Sequence, residues 1–233
     1  MVEFSIGREV LTNLFKFGCV TKTKGRGLID TLEITVENGY ITAKGIDAGF
    51  TVMSCVRARP NEIIEPGTFV YSPITLLGRL QSFGAELSVK TDNEKIYVTD
   101  LENVTTFIDA LPNVKIDFPV EFEVKDTIVP KDIELTHKTV VTTEVPSKLG
   151  KDIVLYFGAH GFSVGLEDEL TVFQKKLGSE RFEELKIKLD GNYFDKIVSL
   201  IDEQFILSAN ENVVYIYANL DWGDAAYLIS TLI

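Results

Sequence analysis

Residues 32–46, LEITVENGYITAKGI, are the stretch that decides the expected fold. Apolar and polar residues alternate from Leu32 to Val36, which is the pattern of a strand with one buried face. Asn38-Gly39 follows, the dipeptide preferred in a two-residue hairpin turn. The alternation resumes from Tyr40 to Ile46. The stretch therefore predicts two antiparallel strands joined by a tight turn.

Three further hairpins and four helices are predicted in the same way. The hairpins are expected at residues 87–98, 153–166 and 205–217, where alternating strands flank short turns. The helices are expected at Arg8–Phe17, Ile74–Phe83, His137–Lys148 and Tyr193–Glu203, where apolar residues recur every three or four positions. The third helical segment is rich in β-branched residues and contains Pro146, and both features disfavour a helix.

The order of these elements recurs along the chain. The hairpin at 32–46 corresponds to the one at 153–166, and the hairpin at 87–98 to the one at 206–217. Between the two halves lie residues 109–119, DALPNVKIDFP, whose two prolines predict an extended connection.

The composition is that of a globular chain, since 45% of its 233 residues are hydrophobic and 25% are charged. No run of about 18 apolar residues predicts a membrane span. The residues after Met1 lack the basic and apolar segments of a secretory signal. Cys19 and Cys55 are interpreted as small core residues, and we expect a reducing, cytoplasmic location.

The charge of the chain limits its affinity for nucleic acid. There are 23 Lys and Arg against 35 Asp and Glu, a formal net charge of −12. DNA binding depends on basic side chains that neutralise phosphates, so this total argues against it. The excess is uneven, because residues 1–116 carry −2 and residues 117–233 carry −10. Whether DNA can bind therefore depends on where the basic residues gather.

The sequence offers little catalytic or metal-binding chemistry. His137 and His160 are its two histidines, and it contains no His-Glu-x-x-His, Cys-x-x-Cys or Gly-x-x-x-x-Gly-Lys-Ser/Thr motif. Glu167-Asp168-Glu169 lacks the spacing of a calcium loop and is interpreted as a solvated loop. We expect no catalytic residues, no metal and no cofactor, as in a binding or scaffolding protein rather than an enzyme.

One catalytic motif does match by letter. Residues 161–165, GFSVG, fit the Gly-x-Ser-x-Gly turn of hydrolases, in which a strand precedes the serine and a helix follows it. Here the residues after Ser163 alternate like the second strand of a hairpin. A serine hydrolase using Ser163 remains one alternative, and a structural or ligand-binding β-protein remains another.

Basic residues recur on the polar faces of the predicted helices and in the loop after the first helix. The set consists of Arg8, Lys16, Lys22, Lys24, Arg26, Arg79, Lys138, Lys148 and Lys196. If the helices lie on one side of a continuous sheet, these side chains form a single surface.

That arrangement is found in DNA sliding clamps, which the sequence resembles over nearly its whole length. Residues 45–52, GIDAGFTV, are similar to a hairpin of the proliferating cell nuclear antigen family, and residues 73–80, PITLLGRL, to an inner helix of its first domain. Residues 222–233, WGDAAYLISTLI, are similar to the closing strand of archaeal and eukaryotic clamps. Residues 117–120, DFPV, look more like the corresponding residues in clamps of T-even phages. The resemblance therefore covers both archaeal and viral clamps. The chain departs from the cellular pattern at Ser230-Thr231, where the family has Ala-Pro.

The resemblance implies an α+β fold of two similar clamp domains, each with antiparallel sheets and two helices on its inner face. The domains would span residues 1–108 and 131–233, with an interdomain linker at 109–130. Two domains per chain imply a homotrimeric ring, with the basic residues facing the hole. Edge strands would form the subunit interface, through Val104, Thr106 and Ile108 on one side and Thr171, Phe173 and Lys175 on the other.

The function that the resemblance implies is that of a DNA polymerase processivity factor. The ring would encircle double-stranded DNA without sequence preference and tether DNA polymerase and other replication and repair proteins. An ATP-dependent clamp loader would open it, at the nucleoid or, for a virus, in the host cytoplasm, with no membrane involved. Partner motifs would enter a pocket formed by Ile46, Phe50, Lys115, Ile116, Phe118, Leu228, Ser230, Thr231 and Leu232.

Overall fold

The computed structural model describes residues 1–21, 27–92, 94–100, 105–111, 114–141, 152–167, 172–176, 180–201 and 204–232, with the backbone alone at Phe107, Glu167 and 172–176. These residues form two compact units. The first comprises Met1–Ala48, Met53–Pro119 and Leu220–Ala225. The second comprises Gly49–Val52, Val120–Asn219 and Ala226–Ile233.

The first half of the chain contains nine strands and two short helices among its described residues. They are β1 (Val2–Gly7), α1 (Arg8–Gly18), β2 (Leu32–Glu37), β3 (Tyr40–Ile46), β4 (Val52–Ala58), β5 (Glu62–Glu65), β6 (Gly67–Tyr71), α2 (Ile74–Leu77), β7 (Glu86–Thr91), β8 (Lys95–Asp100) and β9 (Thr105–Asp109). A single 3₁₀ turn, Leu80–Ser82, follows α2.

The second half contains ten strands and one helix among its described residues. They are β10 (Phe122–Val124), β11 (Ile128–Pro130), β12 (His137–Val141), β13 (Asp152–Gly158), β14 (Gly161–Glu167), β15 (Val172–Lys176), β16 (Leu185–Asp190), α3 (Gly191–Val198), β17 (Phe205–Ala209), β18 (Val213–Leu220) and β19 (Gly223–Ser230).

The first unit is built on antiparallel strands with helices against them. One sheet has the order β5-β1-β7-β8-β9, and in another β4, β3, β2 and β6 are adjacent in that order. Helix α1 buries Leu11, Leu14 and Phe15, a spacing that places three apolar side chains on one face. Phe15 packs against Tyr71 with ring centroids 6.1 Å apart. Burial of this apolar face holds α1 in place, since its first residue follows a strand without a side-chain cap.

The second unit repeats this plan. One sheet has β15, β14, β13 and β16 in that order, and in another β12, β17, β18 and β19 are adjacent. Helix α3 begins after Asp190, whose carboxylate accepts a hydrogen bond from the Asn192 amide at 2.8 Å, the usual N-cap arrangement. Phe194 and Ile197 are buried on its inner face. A small hairpin, β10–β11, is tied to this unit by a hydrogen bond that the Tyr215 hydroxyl donates to the Ile128 carbonyl.

The hairpins predicted from sequence are confirmed. The β2–β3 turn closes at the pair Glu37–Tyr40, and the β13–β14 turn at the pair Gly158–Gly161. Asn38 and Gly39 have φ values of 52° and 80°, the left-handed conformation that a type I′ turn requires and that these two residue types tolerate best.

The turns of the other two hairpins share one hydrogen-bonding pattern. Asp92 accepts hydrogen bonds from the amides of Glu94 and Lys95, and Asn210 accepts them from the amides of Asn212 and Val213. The β7–β8 and β17–β18 hairpins are therefore equivalent, as the sequence pattern predicted.

The helix predictions have mixed outcomes. The first is confirmed as α1, and the fourth as α3, which begins at Gly191 and ends at Val198. The second is shorter than predicted, because α2 ends at Leu77 and a 3₁₀ turn replaces its continuation.

The third helix prediction is wrong at its start. His137–Val141 forms strand β12, paired antiparallel with β17, and residues 142–148 lie outside the described part of the chain. Alternating burial of His137, Thr139 and Val141 shows that β-branched residues and a period of two decided this segment.

The predicted fold class is confirmed, because the chain is an α+β protein of repeated antiparallel sheets with few helices. The predicted domain limits, 1–108 and 131–233 with a linker at 109–130, stay a prediction. Within the described residues, none of the helices has the length and apolar character needed to cross a bilayer.

Candidate nucleic-acid and partner interfaces

Helix α1 carries two of the basic residues predicted to face DNA. Arg8 is half-buried, and its Nη1 atom donates a hydrogen bond to the Phe83 carbonyl at 2.6 Å. Lys16 is half-buried in the last turn, where a cation interacts favourably with the helix dipole. Arg8 thus fixes the end of the 3₁₀ segment against α1. Its guanidinium is therefore partly engaged in a hydrogen bond inside the first unit.

Arg79 and Lys196 are exposed basic residues that lie on helical segments of the described structure. Arg79 follows α2, and its Nη1 atom donates a hydrogen bond to the Thr106 hydroxyl at 3.3 Å. Lys196 lies in the last turn of α3, beside the half-buried Asp195. Both ammonium and guanidinium groups at such positions can contact phosphate oxygens without sequence discrimination.

The other predicted DNA-facing residues are placed differently. Lys138 is exposed on strand β12, so its predicted position on a helix face is wrong. Lys22, Lys24, Arg26 and Lys148 lie outside the described residues. Of the predicted set, the described structure places Arg8, Lys16, Arg79 and Lys196 on helical segments and Lys138 on a strand, and their common surface stays a prediction.

Four residues of the predicted partner pocket lie in the first unit. Ile46 is half-buried at the end of β3, and Ile116 and Phe118 are half-buried in the irregular segment between β9 and β10. The Lys44 ammonium lies 6.0 Å from the centre of the Phe118 ring, the outer limit of a cation–π contact. Lys115 is exposed and forms an ion pair with Asp117 at 3.3 Å.

The remaining pocket residues lie in the second unit. Phe50 is 64% exposed and has a φ of 55°, a conformation that is uncommon for a bulky residue and that costs backbone strain. Leu232 is 39% exposed, and Leu228 is buried in β19. An exposed aromatic side chain held in a strained loop is a feature of binding sites rather than of cores.

The Ser230-Thr231 departure from the family pattern has a structural role. The Thr231 hydroxyl donates to the Glu211 carbonyl at 2.9 Å, and the Thr231 amide donates to the Asn212 carbonyl at 3.0 Å. The Leu232 amide donates to the Lys188 carbonyl at 2.8 Å. These bonds hold the end of the chain in place within the second unit.

The predicted subunit-interface residues fall on strands at the ends of sheets. Thr106 and Ile108 are half-buried on β9, the last strand in the order β5-β1-β7-β8-β9. Phe173 and Lys175 belong to β15, which ends the order β15-β14-β13-β16. Val104 and Thr171 lie outside the described residues. An edge strand presents amide and carbonyl groups that another strand can bind.

The serine of the hydrolase-like motif is not at a turn. Ser163 is the third residue of β14, is 5% exposed and pairs with Tyr156 of β13. A nucleophile elbow requires a strained turn that ends a strand and starts a helix, and β14 continues to Glu167 instead. The strand interpretation of this motif is confirmed.

Cys19 and Cys55 are fully buried, as predicted for small core residues. Burial raises the pKa of both thiols to about 12, and the charge of Asp30 adds to the effect at Cys19. Among the described residues, no group of three or more His, Cys, Asp and Glu side chains is placed to hold a metal ion.

Sequence reasoning missed one buried charged pair. All seven residues of β4 are buried, including Arg57, and the Arg57 Nε and Nη2 atoms both donate to Asp224 Oδ2, at 3.1 and 2.7 Å. The Arg57 guanidinium also stacks on the Tyr40 ring at 4.5 Å. The signal was available, since an arginine inside an otherwise apolar strand needs a buried partner.

The fold is that of DNA sliding clamps. The chain superimposes on A. fulgidus PCNA bound to the C-terminal region of FEN-1, with a TM-score of 0.78, 12% identity and coverage of 100% of this chain and 99% of that one. The PCNA2–PCNA3 complex from Sulfolobus tokodaii gives a TM-score of 0.72 and 10% identity, with 98% of each chain covered.

A bacterial clamp shows the same likeness. The DNA polymerase sliding clamp of Pseudomonas aeruginosa with ligand gives a TM-score of 0.72 and 11% identity, covering 100% of this chain and 65% of that one. No protein-family model matches the sequence, and no curated protein matches it. The predicted resemblance to sliding clamps is therefore confirmed at the level of the fold, over the whole chain.

Proposed function

We propose that this protein is a sliding clamp that acts as a processivity factor for DNA polymerase. The observation that carries the proposal is a clamp fold over the full chain, made of two units with similar antiparallel sheets. A clamp role needs no catalytic centre in the chain itself, because the work is mechanical tethering. The chain would thus be a scaffold rather than an enzyme.

Assembly is the first requirement of this function. Strands β9 and β15 end their sheets in the described structure, and antiparallel pairing of these two edges between copies would close a homotrimer. Such head-to-tail contacts generate a ring when the rotation closes. The PCNA2–PCNA3 complex of Sulfolobus tokodaii is a precedent for clamp chains that associate with one another.

Duplex DNA would pass through the ring. Lys16, Arg79 and Lys196 would contact its phosphates, whereas the Arg8 guanidinium also donates a hydrogen bond to the Phe83 carbonyl within its own unit. A closed ring is held on DNA topologically, so weak and sequence-independent contacts suffice. This reconciles DNA binding with a net charge of −12, because acidic residues elsewhere would repel DNA from the outer surface.

Polymerases and other replication or repair proteins would dock through short segments with apolar anchors. Phe50 and Leu232 are exposed apolar side chains of the second unit, which suits such a hot spot. The A. fulgidus clamp, which binds the C-terminal region of FEN-1, is a precedent for a clamp that binds a terminal region of another protein. An ATP-dependent loader would open the ring on DNA at the replication site.

The test combines assembly with activity. Light scattering on a sizing column over a range of concentrations should give about three times the 26.0 kDa chain mass. Primer extension with a clamp-dependent polymerase and loader should then be compared on circular and linear templates. The chain should lengthen the products only on templates on which it can be retained. A matched Phe50→Ala variant should keep the trimer mass and lose much of the stimulation.

Two outcomes would overturn the proposal. A monomer at every concentration that also fails to stimulate any clamp-dependent polymerase would favour a structural or ligand-binding β-protein. Labelling by a fluorophosphonate probe that disappears in Ser163→Ala would favour a hydrolase, although the position of Ser163 within β14 argues against it.

A further inference from the structure

The β10–β11 hairpin buries one of its two faces. Phe122 pairs with Pro130 and Val124 with Ile128, so these four side chains share one face of the ribbon. Phe122 is 6% exposed and Ile128 is fully buried, whereas Val129 on the opposite face is 38% exposed. Two strands of three residues cannot bury side chains to this extent by themselves. The buried face therefore packs against the rest of the second unit.

Strands β17 and β18 provide the surface on which this hairpin lies. The Tyr215 hydroxyl of β18 donates a hydrogen bond to the Ile128 carbonyl. Tyr215 pairs with Ser208 of β17, and Tyr217 pairs with Ile206. These four residues of β17 and β18 alternate along their strands with fully buried core residues, so their side chains point away from the core. We call the surface that they form the outer face of β17 and β18.

The first unit presents the equivalent face to solvent. Counted from the equivalent turns of the β7–β8 and β17–β18 hairpins, Lys90 and Tyr97 correspond to Ser208 and Tyr215. Lys90 is exposed and Tyr97 is half-buried, whereas Ser208 and Tyr215 are each 5% exposed. The Tyr97 hydroxyl donates to Asp92 in the turn of its own hairpin. The equivalent hydroxyl in the second unit instead binds the β10–β11 hairpin.

The two faces also differ in polarity at the next cross-strand pair. In the first unit this pair is Ser88 with Thr99, and in the second it is Ile206 with Tyr217. Hydroxyl side chains suit a surface in contact with water, and a larger apolar surface is normally covered. The composition of the outer face of β17 and β18 is therefore that of a covered surface.

We propose that the β10–β11 hairpin is a displaceable cover that opens as one piece and exposes the apolar outer face of β17 and β18, with the Tyr215 hydrogen bond holding it closed. Its own strand pairs and the ion pair between Lys131 and Glu121 at 3.1 Å stay within the hairpin when it opens. Binding of another apolar segment to the outer face would require this opening. The proposal goes beyond the clamp function and does not depend on it, because it concerns the second unit alone.

The cover should open more easily than the unit unfolds. Its attachment consists of the buried side chains of Phe122 and Ile128 and of one side-chain hydrogen bond. Against these contacts stands the conformational entropy lost when residues 120–131 are ordered. Segments with few buried apolar contacts open at a lower free energy than the core of the protein.

Thiol labelling can measure this opening. Ser208→Cys places a thiol on the outer face beside Tyr215, and Lys90→Cys places one at the equivalent exposed position of the first unit. Cys19 and Cys55 give little background, because both are fully buried. N-ethylmaleimide should label Ser208→Cys at least tenfold more slowly than Lys90→Cys, as followed by mass spectrometry of the intact chain.

Two matched tyrosine variants test the hydrogen bond. Tyr215→Phe removes only the hydroxyl, and in the Ser208→Cys background it should accelerate labelling about fivefold, the effect expected for one hydrogen bond. Tyr97→Phe removes the equivalent hydroxyl of the first unit and should leave the labelling rate of Ser208→Cys unchanged. Low concentrations of urea should hardly change that rate, because a local opening exposes little surface compared with global unfolding.

Three outcomes would overturn the proposal. Labelling of Ser208→Cys as fast as that of Lys90→Cys would show that the outer face is not covered. A rate that Tyr215→Phe does not change would show that its hydroxyl does not hold the hairpin. A rate that follows global unfolding in urea would show that the hairpin does not open separately.

Hydrogen exchange provides a measurement without an added cysteine, in case Ser208→Cys does not fold. In Tyr215→Phe, the amides of residues 120–131 should exchange about fivefold faster than in the wild type, while those of residues 205–220 should keep their rates. Equal acceleration of both segments would make the hairpin part of one cooperative unit and contradict the proposal.

Discussion

Arg57 and Asp224 form a buried ion pair in the first unit, with Nη2 and Oδ2 2.7 Å apart and side chains only 4% and 11% exposed. Gly223 lies against the Arg57 backbone, because a Cβ atom there would collide with the Arg57 carbonyl oxygen. The neighbouring Trp222 packs edge-on against Phe17 of α1, with ring centroids 5.0 Å apart. Three consecutive residues thus fix the beginning of β19 within the first unit.

Asp224→Ala is expected to lower the free energy of unfolding by about 3–5 kcal/mol, because it removes the carboxylate that neutralises a buried guanidinium. Replacing both charges, as Arg57→Met/Asp224→Leu, should recover much of that loss. The exposed pair Lys115–Asp117 provides the control, since Asp117→Ala should cost less than about 1 kcal/mol. Urea titration followed by circular dichroism measures all three, and a double variant as unstable as Asp224→Ala would contradict the explanation.

Asp92→Asn should be tolerated at neutral pH and should change the acid stability. Hydrogen bonds from the Glu94 and Lys95 amides hold the pKa of the Asp92 carboxyl below its usual range. Its stabilising contribution is therefore present above the unfolded pKa of about 3.9 and is lost as pH falls through the lower folded pKa. Asparagine keeps the acceptor oxygen without titrating, as Asn210 does at the equivalent turn.

The measurement for Asp92 is urea unfolding at pH 7 and again near pH 3. The stability difference between Asp92→Asn and wild type should move in favour of the variant at the lower pH. Asp92→Ala removes the acceptor and should be the less stable variant at both values. Equal destabilisation of the Asn and Ala variants at pH 7 would show that the turn does not depend on this acceptor.

Both native cysteines should be unreactive in the folded protein. With the pKa of Cys19 and Cys55 raised to about 12, only about one thiol in ten thousand is ionised at pH 8, and the thiolate is the reactive form. A thiol assay should detect close to no groups in the native protein and two after unfolding in guanidinium chloride. Fast labelling of either cysteine without denaturant would indicate local opening of the core.

Reversing the charges of the exposed helical residues Arg79 and Lys196 should weaken the interaction with DNA. Arg79→Glu/Lys196→Glu should reduce clamp-dependent synthesis and lower the slope of log affinity against log salt by about 0.9 for each phosphate that is no longer neutralised. Arg79→Glu/Lys125→Glu makes the same change in net charge, but its second substitution lies in the β10–β11 turn. In this control variant, clamp-dependent synthesis and the salt slope should fall only by the part due to Arg79. Equal falls in the two double variants would exclude Lys196 from DNA binding.

Local signals in the sequence predicted the four hairpins and two of the helices. Asn38-Gly39 between two alternating segments allowed one pairing register, because a slip by one residue would expose the buried face of β2 and β3. Apolar spacing likewise predicted α1 and α3, whose buried residues match that spacing. His137–Val141 shows the limit, since the helix predicted there is wrong, and its alternating burial is that of strand β12, which pairs with β17.

The interfaces could be predicted only in part. Helical spacing, a local property, pointed to Arg79 and Lys196 on helical segments, and the resemblance to sliding clamps pointed to Thr106 on an edge strand. It could not show that Arg8 bonds to the Phe83 carbonyl or that Lys138 lies on a strand. Those positions depend on contacts between residues far apart in the chain.

By itself, therefore, the sequence determined the hairpins, two helices and the repeated order of elements, which follow from turn chemistry and from the period of apolar residues. The tertiary structure alone decided which strands end the sheets and which residue neutralises Arg57. The partner of Arg57 lies 167 positions away, and no local pattern selects one acidic residue among 35. Burial of that charge makes an ion pair necessary, but the packing of the whole chain determines that Asp224 supplies it.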